Sequence, residues 1–135
     1  MTARLRTGVA LLATASFLLA ASATASAACP GQDVRANAQS VDAIEASVLC
    51  LINERRAQAG LAGVTANDQL ATAADRHARD MVARGYFSHT APGGVGFIDR
   101  IVDAGYTSGA ASWLVGENLV WGSGSLSTPA QLVQA

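Results

Sequence analysis

Cys29 and Cys50 are the two cysteines of the chain, 21 positions apart, and they follow a stretch that reads as an export leader. "MTARLR" supplies a short positive start, "TGVALLATASFLLA" an apolar run, and "ASATASAAC" small residues suited to cleavage after Ala27. That is the pattern of a secretory signal over residues 1–27. The apolar run is too short, and too rich in Ser and Thr, to favour a membrane span of about 20 residues. An even pair of cysteines in an exported chain predicts a disulfide. The bridge would tie a lead-in, residues 28–40, to the segment that holds Cys50. Loop closure over that distance contributes about 3 kcal/mol. Lipid modification of Cys29 is the competing reading. Ser26 argues against it, because a lipoprotein signal usually places an aliphatic residue three positions before the cysteine. The expected location is outside the cell, or in the periplasm or cell envelope.

A chain of 135 residues predicts one domain. Half of it is hydrophobic by count, but aromatics are only 5%. Nine basic and ten acidic residues leave a formal net charge of −1, and every basic residue is arginine. No basic cluster exceeds Arg55-Arg56, so nucleic acid is not an expected partner. With the leader removed, no stable membrane span is expected.

Helical periodicity organises the rest. In "VDAIEASVLCLINERRAQAG" the apolar residues Val41, Ile44, Val48, Leu51 and Ile52 recur in steps of three and four. Ser40 suits the N-cap, Arg55 and Arg56 the negative end of the dipole, and Gly60 the C′ position. A second helix follows Asn67 in "DQLATAADRHARDMVARG" and ends at Gly85. It carries two acid-first i,i+4 pairs, Asp75 with Arg79 and Asp80 with Arg84. "FIDRIVDAG" predicts a short third helix. "ASWLVGENLVWGSGS" mixes β-prone residues with glycine and holds at most a short strand near Leu114–Val115. Thr128 and Pro129 then open a last helix, at N-cap and N1.

Few residues point to chemistry. His77 lies on the apolar stripe of the second helix and reads as a buried, hydrogen-bonded histidine. His89, in "GYFSHT", sits in a loop just past a helix end, where side chains reach clefts; Tyr86 and Phe87 before it are expected as apolar anchors. Glu117, in "VGENLVWG", is an acid among apolar neighbours and needs a cation or donor to stay charged. One histidine and one carboxylate do not close a metal site. No nucleophile elbow, zinc-protease, redox-dithiol or phosphate-loop motif occurs.

Taken in order, "LCLINERRAQAGL", "LATAADRHARDMVARGYFSHT", "DRIVDAGY" and "VGENLVWG" resemble the CAP superfamily of cysteine-rich secretory proteins, antigen 5 and pathogenesis-related proteins, and more narrowly its bacterial secreted SCP-like type. The resemblance covers residue 43 to the chain end. It implies an α+β fold, an α/β/α sandwich of helices about a small antiparallel sheet, with a central cleft lined by histidines and acids. His89 matches the family's F-x-H-[ST] histidine and Glu117 its G-E-N glutamate. In some members such a cleft holds zinc or another divalent metal, which makes His89 and Glu117 the candidate ligands. His77 matches no cleft residue. The family's later "GHR-x-NIL"-like segment and last strands find no match, so residues 41–135 read as the amino-terminal portion of the domain, with most of the sheet missing.

The expected role is an extracellular binding module whose ligand is a lipid, a cell-wall component or a host component. Two alternatives stand beside it. One is a secreted hydrolase with His89 as base or metal ligand. The other is a truncated product without function.

Overall fold

A computed structural model describes residues 28–135, so the leader lies outside the described residues. Four helices follow one another: α1 (Val41–Gln58), α2 (Asp68–Arg84), α3 (Phe97–Asp103) and α4 (Pro129–Gln134). Short 3-10 turns at Ala36–Ala38 and Gly124–Ser127 join them to their flanking loops.

The helix starts are set by local chemistry. Ser40, Asn67 and Thr128 each accept, through the side-chain oxygen, the backbone N–H three residues on, at Ala43, Leu70 and Gln131. Each cap satisfies an amide that the first turn leaves without a partner. Pro129 stands at N1 as expected. Asp99 caps α3 from inside, accepting the Gly96 N–H at 2.9 Å. Gly85 ends α2 in the left-handed region, φ 67°, where a side chain would be strained.

Cys29 and Cys50 are joined, with Cα atoms 5.8 Å apart. The bridge fastens the lead-in to α1, and Gln32 of the lead-in accepts the Ala130 N–H of α4 at 2.9 Å. α1 packs on α4, and α2 packs on α3. The deepest residues of the first pair are Ser47 and Pro129, with Cys29 beside them in burial. The apolar stripe expected on α1 is only half used. Ile44, Val48 and Leu51 are partly buried, while Val41 and Ile52 stay exposed. Asn53 on the same helix holds the next loop by two bonds, accepting from Val64 N at 2.7 Å and donating to Val64 O at 2.9 Å.

Among the described residues there is no β-strand. The segment 113–122 runs without ladder partners. Leu114 is 98% exposed and Trp121 75%. The described fold is therefore helical, and no sandwich is seen in it.

Candidate functional site

Two loops and one helix meet at Glu117. The first loop begins at Gly85, where α2 stops. His77, on α2 and only 3% exposed, shares a hydrogen bond with the Ser88 carbonyl through Nε2 at 2.9 Å. This is the buried, bonded histidine expected there, and it pins the loop one residue before His89. Tyr86 is not the apolar anchor expected of it. Its phenol donates to Asp80, which also accepts from Arg84, and its ring lies under the Arg84 guanidinium. Phe87 departs further, since it is more than half exposed.

His89 Nδ1 lies 2.8 Å from Glu117 Oε2, across 28 positions of sequence. The other carboxylate oxygen, Oε1, accepts from Arg100 Nη2 at 2.7 Å. The same nitrogen donates to the His89 carbonyl at 3.1 Å, and Arg100 Nη1 donates to Val95 O at 3.3 Å. Arg100 thus joins α3, the His89 loop and the Glu117 segment. The Arg100 and Glu117 side chains are only 11% and 17% exposed. Charge-assisted bonds of this kind are shorter and stronger than neutral ones.

Burial alone would push the Glu117 carboxyl up. The hydrogen bonds from Arg100 and His89 outweigh it and hold the group below the usual carboxylate range. Asp80 is lowered as well, chiefly by the bond from Tyr86, against a smaller opposing effect of burial. Both acids are more acidic folded than unfolded. Their contribution is present above the ordinary carboxylate range and is lost as pH falls through the folded values. The urea midpoint is therefore expected to drop as pH falls through and below the ordinary carboxylate range, about pH 4. Glu117→Gln should flatten that slope, and an unchanged slope in the variant would count against the assignment.

The sequence reading placed His89 and Glu117 in one cleft, and the two are in contact here. It missed Arg100. A signal was present, since Glu117 needed a cation and Arg100 is the sole arginine after Arg84.

The donor set does not suit a divalent metal. Structural zinc takes four protein ligands and catalytic zinc three. His89 and Glu117 supply two, and Glu117 already faces a guanidinium. Among the described residues, the one trio of His, Cys, Asp or Glu ligand atoms that lie close together is Cys29, Cys50 and Glu54, and its sulfurs are spent in the disulfide. Ser88 Oγ, beside His89, accepts the Thr90 N–H at 3.2 Å.

An apolar groove is built partly from the same two loops. Met81, Val82, Phe87, Leu119, Val120 and Trp121 line a cavity of about 960 Å³ with mainly carbon walls. Phe87 is two residues from His89, and Leu119 two from Glu117.

A disulfide-braced helical scaffold that presents a His–Glu–Arg cluster from two loops and one helix is the class of protein these features define. The family model for CAP, the cysteine-rich secretory protein family, matches residues 49–134, and the chain belongs to that family. No curated protein and no solved structure matches it. Among the described residues no helix is long and apolar enough to cross a membrane.

Proposed function

We propose that the protein is an extracellular binding module for a hydroxyl-bearing amphiphile such as a sterol. The polar end of the ligand meets His89 and Glu117, and its apolar body lies along the groove of Phe87, Val120 and Trp121. The observation that carries this reading is the 2.8 Å His89–Glu117 pair, with Phe87 and Leu119 of a carbon-lined groove two positions from each of its members. In the tautomer whose Nδ1–H donates a hydrogen bond to Glu117, Nε2 is left as an acceptor for a ligand hydroxyl. Ligand pockets commonly combine apolar walls with a few convergent polar groups. Family membership and the disulfide support the extracellular setting.

Dehydroergosterol, a fluorescent sterol, tests the proposal. Energy transfer from tryptophan should report binding. His89→Ala should weaken it about tenfold, the share of one good hydrogen bond to a buried polar end. Trp121→Ala should weaken it by a similar factor through lost apolar contact. Equal binding by all three proteins, or none by the unaltered one, would sink the reading.

A further inference from the structure

We infer that Arg100 is the built-in cation of the His89–Glu117 site, filling by its guanidinium the role that a divalent ion would have there.

The inference rests on where the guanidinium sits and what it touches. Its three oxygen acceptors are the Glu117 carboxylate, the His89 carbonyl and the Val95 carbonyl, from two separate loops. A bound metal ion gathers oxygen ligands from separate segments in the same way. Arg100 is nearly buried, so its charge acts through a medium of lower dielectric than water. Its root is fixed as well, because it lies one residue after Asp99, whose carboxylate caps α3 on Gly96. The planar guanidinium lets Nη2 reach Glu117 and the His89 carbonyl while Nη1 reaches the Val95 carbonyl.

Charge decides the consequence. Arg100 and Glu117 cancel, and a neutral His89 adds nothing. A divalent ion bridging His89 Nδ1 and Glu117 Oε2 would have to break their 2.8 Å bond while facing a fixed positive charge on the other oxygen. That bridging position is thereby organised without metal and set against capturing one, and the Arg100 charge opposes a cation at Glu117. A neutral ligand suffers no such repulsion. Chelators should therefore leave ligand binding unchanged.

This assignment rests on His89 and Glu117 forming one site, and the experiment separates the two ideas. Cobalt(II) is the probe, because its visible absorption reports its ligands. The unaltered protein and Arg100→Lys, which keeps the charge, should show no His89-dependent band up to millimolar cobalt. Arg100→Gln should bind cobalt at least about tenfold more tightly, and adding His89→Ala should abolish that gain. Four results overturn the assignment. One is micromolar cobalt binding through His89 in the unaltered protein. Another is an equal gain in Arg100→Lys, and the third is no gain in an Arg100→Gln variant with unchanged circular dichroism. A gain indifferent to His89 overturns it too, and removes the shared site with it. If Arg100→Gln does not fold, the unaltered protein still decides. The Arg100 Nε–H resonance should persist through a zinc titration to millimolar, and its displacement at micromolar zinc would refute the role.

Discussion

Replacing Cys29 and Cys50 together by serine should lower the free energy of unfolding by about 3 kcal/mol, the loop-closure value for a bridge of this span. The loss should be large in effect because so little else is buried. Among the described residues, the buried apolar side chains besides Cys29 are few, namely Ala73, Ile101 and Pro129. Small domains with thin cores are those that depend on disulfides. The bridge also fixes Gln32, whose carbonyl holds Ala130 of α4. Urea unfolding of the double variant, or of the protein in reductant, measures the change. A shift under about 1 kcal/mol would mean that the lead-in adds little to the unfolded-state constraint.

His77→Ala should cost a similar amount, about 2–4 kcal/mol, from the lost ring and the unpaired carbonyl it leaves behind. The ring is 3% exposed and bonds the Ser88 carbonyl. The effect should not stop at stability. With Ser88 released, the backbone next to His89 loses its hold on α2, and the His89–Glu117 bond should loosen. His77→Gln can still donate an N–H toward Ser88 and should recover part of both losses. Thermal unfolding gives the first quantity, and the His89 ring resonances give the second. A variant that loses stability while the His89 signals stay in place would separate the two roles and leave His77 purely structural.

Helix boundaries were legible because caps are local. Ser40, Asn67 and Thr128 each act within three residues, so their chemistry is written in a short window. The same holds for the Asp75–Arg79 and Asp80–Arg84 pairs. The burial of His77 followed from helical spacing. What spacing could not give was partnership across loops. Arg100 and Glu117 are 17 positions apart and meet only because α3 turns one toward the other. Tyr86 was read by its ring, whereas its hydroxyl bond to Asp80 decides its place. Phe87 looked like an anchor because phenylalanine usually is one. Its exposure here belongs to the groove with Trp121. The pairing of His89 with Glu117 came through family resemblance, since neither residue carries a local signal strong enough alone.

The strap from Cys29 through Gln32 to Ala130 has a consequence in time. A chain that emerges amino terminus first presents Cys50 long before Pro129. The bridge can close before α4 has emerged, because it needs only the lead-in and the middle of α1. The Gln32 carbonyl is then held near its final position before Ala130 arrives. α4 then docks onto a seat already built, and the long-range step becomes the search of one segment for a fixed site.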